Sequence, residues 1–169
     1  MALYFITGGA RSGKSRYAMQ LAEQLVAPHI FIATAQPSDQ EMQDRIGVHR
    51  AERDAALWQT LEEAIHPEYH LASIHGTVLL DCLALWVSNL LLAGRTEASM
   101  LVQLEQLLEM QTKRQGDLII VSNEVGSGVV PEYFLGRTYR DWLGRANQRV
   151  AKASDYAFLL VAGLPLALK

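Results

Sequence analysis

Residues 8–15 form a glycine-rich segment with the pattern G-x-x-x-x-G-K-S. In such a segment, glycines let the backbone fold into a concave turn whose N–H groups point at phosphate oxygens. A helix that begins near Gly13 adds the partial positive charge of its N-terminus. Lys14 is then placed to reach the β- and γ-phosphates, and the Ser15 hydroxyl to ligate Mg²⁺. The pattern predicts a triphosphate site made of Gly8, Gly9, Ala10, Arg11, Ser12, Gly13, Lys14 and Ser15.

Two acidic residues follow apolar runs that have the character of buried strands. Asp81 closes the run at 78–80, and Glu124 comes after the run at 118–121. Ligands of open α/β sheets gather at the carboxyl ends of the strands, so both acids are expected near the phosphates. Asp81 lies where phosphoryl-transfer enzymes hold Mg²⁺ with a carboxylate, directly or through water. The other interpretation is that Asp81 caps the helix that follows it.

A basic cluster contains Arg45, His49, Arg50 and Arg53. On a helix, residues 45, 49 and 53 lie one turn apart and share a face. Arginines bind phosphate oxygens through paired hydrogen bonds and stabilise charge in phosphoryl transfer. Neighbouring cations favour the neutral imidazole, which can attack phosphorus. From the spacing alone, a solvated basic helix face with His49 as a bystander is somewhat favoured over a catalytic role for His49.

The other histidines and the single cysteine carry weaker signals. His66, His70 and His75 loosely suggest a metal site, but Pro67 interrupts the helical spacing and no cysteine or acidic cluster completes the set. We therefore do not expect these histidines to bind a metal. Cys82 stands in an apolar run and is expected to be buried and unreactive.

Apolar runs alternate along the chain with segments of helical spacing. The strands and helices that they predict must position these side chains. The residues at 54–75 show no clear pattern. Continuously apolar strands that alternate with helices predict an α/β fold of the P-loop NTPase type, a mostly parallel sheet with helices on both faces. The predicted strands are 2–7, 29–35, 77–81, 117–122 and 155–162, with a sixth possible at 166–168. The predicted helices are 14–26, one that starts at Ser38 or Asp39, 83–93, 97–115 and 137–153.

Size and composition exclude several classes of protein. A chain of 169 residues, half of them hydrophobic, suits one domain over 1–169. The net charge of −3 provides no basic field for nucleic acid. The apolar segment at 83–93 is far shorter than the roughly 20 residues of a membrane span. One cysteine and an N-terminus without a basic signal region predict a cytoplasmic protein.

Longer stretches around these motifs resemble the bifunctional adenosylcobinamide kinase/adenosylcobinamide-phosphate guanylyltransferase family of cobalamin biosynthesis. The resemblance extends over nearly the whole chain. The blocks at 122–132 and 137–148 are far more particular than the phosphate loop, which many enzymes share. The matching stretches are I-T-G-G-A-R-S-G-K-S-R at 6–16, F-I-A-T-A at 31–35, R-I-x-x-H-R-x-x-R at 45–53, L-L-D-C-L-x-L-W-V-S-N-L-L at 79–91, S-N-E-V-G-x-G-x-V-P-E at 122–132, R-x-Y-R-D-x-L-G-x-x-N-Q at 137–148 and G-L-P-x-x-L-K at 163–169.

The resemblance implies two reactions. The first is phosphorylation of adenosylcobinamide by ATP or GTP, and the second is transfer of GMP from GTP to adenosylcobinamide phosphate, giving adenosylcobinamide-GDP. The guanylyl group passes through a covalent histidine intermediate in this family, and by position that histidine is His49. The resemblance also implies a homotrimer. The residues implied to contact the guanine nucleotide are Thr34, Ala35, Gln36, Arg50, Ala51, Glu52, Arg53 and Glu62, with Asp81 nearby.

The sequence departs from the family at one point. Members commonly have proline directly after the arginine of H-R-x-x-R and tryptophan four residues after that arginine. Here Asp54 follows Arg53, and Trp58 comes five residues on, as if one residue were inserted. Two rival functions stay open from the residues alone: a single-activity P-loop kinase in which His49 is structural, and a nucleotide-binding switch or scaffold protein.

Overall fold

The computed structural model describes residues 1–37, 40, 43–44, 46–47 and 56–169. The predicted helix that starts at Ser38 or Asp39 lies only partly within these residues. His49 and the stretch from Arg50 to Arg53 lie outside them. Strands and helices alternate through most of the described chain. Their bounds are β1 (Leu3–Gly8), α1 (Lys14–Ala22), β2 (His29–Ala33), β3 (Trp58–Glu62), α2 (Pro67–Leu71), β4 (Thr77–Asp81), α3 (Leu83–Leu92), α4 (Glu97–Lys113), β5 (Leu118–Val121), α5 (Phe134–Ala153), β6 (Tyr156–Val161) and β7 (Leu164–Ala167).

The described strands form one seven-stranded sheet in the order β3-β2-β4-β5-β1-β6-β7. All neighbours are parallel except β6 and β7, which form an antiparallel hairpin. The register aligns Ala33 with Asp81 and Asp81 with Val121. The carboxyl ends of β1, β2, β4 and β5 therefore meet at one edge of the sheet, where α/β folds bind ligands.

The core is built from the central strands and the helices that cover both faces. Every residue of β5 is buried, and so are the first four residues of β4. Such continuous burial requires helices on both faces of the sheet. Helix α1 packs against β1, β4 and β5, and α5 packs against β1. The apolar segment predicted at 83–93 forms α3, with Leu83, Ala84, Trp86, Val87 and Leu90 buried.

The structure confirms the predicted fold class and extends the predicted elements. The five predicted strands are present as β1, β2, β4, β5 and β6, and the possible sixth is β7, which begins earlier at Leu164. The unplaced region at 54–75 contains β3 and the short helix α2. Helix α5 begins at Phe134, three residues before the expected start. No helix in the described part of the chain is long and apolar enough to cross a membrane.

Arg114 joins the loops at the amino edge of the sheet. Its guanidinium is buried and donates to the carbonyl oxygens of Ile74, Gly76 and Asp117 at 3.2, 2.6 and 3.1 Å. It also donates to the side chain of Gln111 at 2.8 Å. Burial lowers the pKa of Arg114 and the charge of Asp117 opposes the shift. One side chain therefore satisfies carbonyl groups from two separate loops.

Candidate active site

The phosphate loop joins the end of β1 to the start of α1. Arg11 and Gly13 both adopt left-handed backbone conformations, with φ of 56° and 90°. A Cβ atom at Gly8 would lie 2.6 Å from the Ser12 hydroxyl and 2.7 Å from the carbonyl oxygen of Leu160. The Ser12 hydroxyl is buried, with no hydrogen-bond partner among the described residues. Gly8 is therefore required because the loop folds closely over its own serine and over β6.

The tip of the β6–β7 hairpin supports this loop from the other side. The amide nitrogen of Gly163 donates to the carbonyl oxygen of Ser12 at 2.9 Å. A Cβ atom at Gly13 would lie 3.2 Å from the Cα atom of Gly163. The G-L-P stretch that begins at Gly163 is thus a direct neighbour of the phosphate loop, although it lies about 150 residues away in sequence.

Lys14 lies at the first position of α1 and folds back over the loop. Its ammonium donates to the carbonyl oxygen of Gly9 at 2.9 Å. Burial lowers the pKa of Lys14, and negative charge on Cys82 or Asp81 acts in the opposite direction. Lys14 follows the end of β1 by way of the phosphate loop, and Asp81 ends β4. The structure therefore places both predicted site residues at the carboxyl edge of the sheet.

Asp81 is the last residue of β4 and is half-buried. Helix α3 is capped by the next residue, because the Cys82 sulfur accepts a hydrogen bond from the amide of Leu85 at 3.4 Å. The capping interpretation of Asp81 is therefore wrong, since Cys82 takes that role. Burial raises the pKa of Cys82 to about 12, so the thiol stays protonated at neutral pH, as expected of a buried, unreactive cysteine.

Thr34 follows β2 and is fully buried. Its hydroxyl donates to the carbonyl oxygen of Cys82 and accepts from the amide of the same residue, both at 2.8 Å. Asn89 of α3 donates to the carbonyl oxygen of Thr34 at 2.8 Å. The polar atoms of Thr34 are thus engaged within the protein, whereas Ala35 is half-buried and Gln36 is exposed beside it.

The loop after β5 is also fixed to the phosphate loop. The amide of Glu124 donates to the carbonyl oxygen of Gly8 at 3.0 Å. The Glu124 carboxylate accepts from the amide of Ser127 at 3.0 Å, so it orders its own loop. Asn147 of α5 accepts from the Ser122 hydroxyl at 2.6 Å and donates to the carbonyl oxygen of Asn123 at 3.0 Å. Sequence reasoning had no signal for this role of Asn147 beyond its place in the 137–148 block.

Two histidines of the central region, His66 and His70, contact carboxylates. Nδ1 of His66 lies 3.0 Å from Glu68, and Nε2 of His70 lies 3.2 Å from Glu63. Within the described ranges there is no group of three or more histidine, cysteine, aspartate or glutamate side chains arranged to hold a metal ion. Glu62, at the end of β3, is exposed at the same sheet edge as Asp81.

The donor set beside Lys14 fits Mg²⁺. Ser15 supplies a hydroxyl in the first turn of α1, and Asp81 supplies a carboxylate at the end of β4. Hard oxygen donors of this kind, completed by phosphate oxygens and water, are the ligands that Mg²⁺ takes in proteins. Asp81 ends β4 at the carboxyl edge of the sheet, the edge at which the phosphate loop follows β1.

Comparison with known proteins decides the family. One family profile matches residues 4–168, almost the whole chain. The chain belongs to the cobinamide kinase / cobinamide phosphate guanyltransferase family. Its relatives include the bifunctional adenosylcobalamin biosynthesis protein CobP of Pseudomonas aeruginosa, 44% identical over 97% of this chain and 95% of the relative. The bifunctional adenosylcobalamin biosynthesis protein CobU of Salmonella typhimurium is 36% identical over 99% of each chain. The resemblance seen in the sequence is confirmed.

Solved structures agree on the fold. A prototypical ATPase from the type III secretion system of pathogenic bacteria has a TM-score of 0.58 at 12% sequence identity. The match covers 98% of this chain and 56% of the ATPase chain. At that identity the likeness concerns the fold alone, and it supports the P-loop architecture. Family and fold together make this chain a nucleotide-binding enzyme.

Proposed function

We propose that this chain carries out both reactions that give the family its name, on one domain, in the cytoplasm and as a homotrimer. An NTP, ATP or GTP, phosphorylates adenosylcobinamide. GMP from GTP is then transferred to adenosylcobinamide phosphate, giving adenosylcobinamide-GDP and pyrophosphate. The observation that carries the proposal is the placement of the phosphate loop, Lys14 and Asp81 at one edge of the sheet, in a chain that the family profile matches over residues 4–168.

In the kinase step, the loop at residues 8–15 binds the triphosphate through backbone N–H groups. Lys14 moves from the carbonyl of Gly9 to the β- and γ-phosphate oxygens, where its charge stabilises the transferring group. Ser15 and Asp81 would hold Mg²⁺, which neutralises charge on the phosphates when bound. The substrate hydroxyl attacks the γ-phosphorus, the bond to the β-phosphate oxygen breaks, and the hydroxyl proton is released.

In the guanylyl step, the reacting centre is the α-phosphorus, and His49 is the proposed nucleophile. An imidazole nitrogen bonds to that phosphorus, the bond to the β-phosphate oxygen breaks, and pyrophosphate leaves. A phosphate oxygen of adenosylcobinamide phosphate then attacks the same phosphorus and releases free His49. The basic residues Arg50 and Arg53 suit charge that develops on the leaving pyrophosphate.

Guanine nucleotide contacts are proposed for residues after β2, at the end of β3 and around His49. They are Ala35, Gln36, Arg50, Ala51, Glu52, Arg53 and Glu62. Thr34, which the family resemblance also implies, is left out of the proposed contacts because it is fully buried and its hydroxyl is bonded twice to Cys82. Gln36 and Glu62 are both exposed at the carboxyl edge of the sheet, where α/β folds bind ligands.

Product analysis tests the two activities separately. The protein is incubated with adenosylcobinamide and ATP, then with adenosylcobinamide phosphate and GTP, and products are identified by mass spectrometry. The proposal expects a phosphorylated product in the first reaction and a GDP conjugate in the second. A phosphorylated product without any GDP conjugate would instead identify a single-activity kinase, and slow NTP hydrolysis unaffected by either substrate would identify a switch or scaffold protein.

A further inference from the structure

Thr34 binds both polar atoms of the peptide group that follows the Asp81 α-carbon. The amide nitrogen of Thr34 donates to the carbonyl oxygen of Asp81 at 3.2 Å. The amide nitrogen of Cys82 donates to the Thr34 hydroxyl at 2.8 Å. The same hydroxyl then donates to the carbonyl oxygen of Cys82. One residue of the β2 end therefore fixes the backbone from which the Asp81 side chain projects.

Asn89 fixes Thr34 in turn. Its amide group donates to the carbonyl oxygen of Thr34 at 2.8 Å and to that of Ala64, after β3, at 3.0 Å. Asn89 stands on α3, the helix that begins directly after the Asp81–Cys82 peptide. A closed circuit results. The backbone of α3 leads from Asp81 to Asn89, and hydrogen bonds lead from Asn89 to Thr34 and from Thr34 back to Asp81. Such a circuit leaves the end of β4 little freedom to shift.

We propose that Thr34 and Asn89 are positioning residues for the Asp81 carboxylate, and this inference rests on the proposed metal-binding role of Asp81. Metal ligands act only when held close to their working geometry, and groups that bind the ligands' own backbone supply that restraint. Thr34 is fully buried, and its hydroxyl, amide and carbonyl groups all form hydrogen bonds within this circuit. Its hydroxyl therefore serves Asp81 and not the nucleotide.

The test separates metal binding from nucleotide binding. The ligand is the GTP analogue with a methylene group between the α- and β-phosphorus atoms, which the proposed histidine step cannot cleave. Its affinity is measured by calorimetry in EDTA, and Mn²⁺ affinity of the complex is measured by electron paramagnetic resonance. Thr34→Val removes the hydroxyl, and Asn89→Asp removes both donors. Each is expected to weaken Mn²⁺ binding about fivefold or more, with the metal-free nucleotide affinity unchanged within about twofold.

Three further variants make the result decisive. Asp81→Asn sets the size of the effect when the carboxylate charge is lost. Thr34→Ser retains the hydroxyl and is expected to recover most of the Mn²⁺ affinity that Thr34→Val loses. Ser88→Ala, one residue before Asn89, is the matched control and should leave both affinities unchanged. Urea unfolding of every variant confirms that the compared proteins are folded.

Distinct outcomes would overturn distinct statements. If Thr34→Val weakens metal-free nucleotide binding and leaves Mn²⁺ binding unchanged, the hydroxyl contacts the nucleotide and the positioning role is wrong. If Asp81→Asn leaves Mn²⁺ binding unchanged, the metal assignment fails and the positioning role fails with it. If the unaltered protein does not bind the analogue, the proposed function itself is contradicted.

Discussion

The amide nitrogen of Gly163, at the tip of the β6–β7 hairpin, donates to the carbonyl oxygen of Ser12 in the phosphate loop at 2.9 Å. Gly163 has a φ of 82°, which an L side chain rarely adopts. Gly163→Ala should therefore strain the hairpin tip by about 1 kcal/mol and weaken its support of the loop. We expect the dissociation constant for tripolyphosphate, which occupies only the phosphate loop, to rise by up to about fivefold in calorimetry.

Gly94→Ala is the matched control for this change. Gly94 also has a positive φ, of 72°, with nothing near the position of a Cβ atom, and it follows α3. The two variants should lose similar stability in urea unfolding, yet only Gly163→Ala should weaken tripolyphosphate binding. Equal affinities in the two variants would show that the hairpin tip does not support the loop.

Gly8 and Gly9 are expected to differ sharply when replaced by alanine. A Cβ atom at Gly8 would lie 2.7 Å from the backbone oxygen of Leu160, whereas one at Gly9 would meet nothing within 4 Å. Gly8→Ala should therefore lower the free energy of unfolding by about 1–3 kcal/mol, as overpacking does, and Gly9→Ala by about 0.5 kcal/mol or less. Urea unfolding of both variants checks this, and similar losses would mean that the loop does not fold this closely over β6.

Arg114 should contribute far more stability than its neighbour Lys113. Arg114→Met would remove the side-chain donor of the Ile74 and Gly76 carbonyl oxygens, whereas the Asp117 carbonyl would keep the Val78 amide as a donor. The expected loss in free energy of unfolding is about 3 kcal/mol or more. Lys113→Met removes only an exposed ion pair with Glu109 at 3.7 Å and should cost about 0.5 kcal/mol or less. Equal effects in denaturant unfolding would contradict the role of Arg114.

Because the Cys82 thiol is buried, we expect the protein to lose stability at alkaline pH. Burial raises its pKa from the ordinary 9.0 to about 12, so the folded protein keeps a proton that the unfolded chain releases above pH 9. The contribution of Cys82 to the free energy of unfolding should be fully present below pH 9. Between pH 9 and 12 the free energy of unfolding should fall by up to about 1.4 kcal/mol per pH unit. Cys82→Ser keeps an acceptor for the Leu85 amide but does not titrate in this range.

Urea unfolding at pH 8, 9 and 10 measures this dependence. The range stops at pH 10 because burial also raises the pKa of Tyr139, from 10.0 to about 12, and its contribution would begin there. The fall from pH 9 to 10 should be smaller in Cys82→Ser than in the unaltered protein. Parallel curves would show that Cys82 is not the group responsible.

The sequence predicted those elements whose apolar pattern is continuous. Strands β4 and β5 are buried on both faces and therefore read as unbroken apolar runs. Strand β3, with the sequence WQTLE, lies at the sheet edge with only Trp58 buried, so it gave no such signal. Helix α2 has five residues, too few to show a helical period. The strand order also has no trace in local pattern, because it depends on tertiary packing.

The sequence predicted the candidate-site residues whose type and position in a motif have one common function. The glycines, Lys14 and Ser15 of the phosphate loop and the strand-end Asp81 belong to this class. The supporting residues do not, because threonine, asparagine and arginine occur in many settings. Only the three-dimensional structure shows that Thr34 binds Cys82, that Asn89 binds Thr34, and that Gly163 reaches Ser12.

The covalent step at His49 is the central claim, and trapping of the guanylylated protein tests it most directly. The protein is incubated with GTP labelled at the α-phosphate or at the γ-phosphate and quenched in alkali. We predict an alkali-stable, acid-labile adduct from the α-label alone, which is absent in His49→Asn and retained in the control His75→Asn. Adduct formation by His49→Asn equal to that of the unaltered protein would contradict the account.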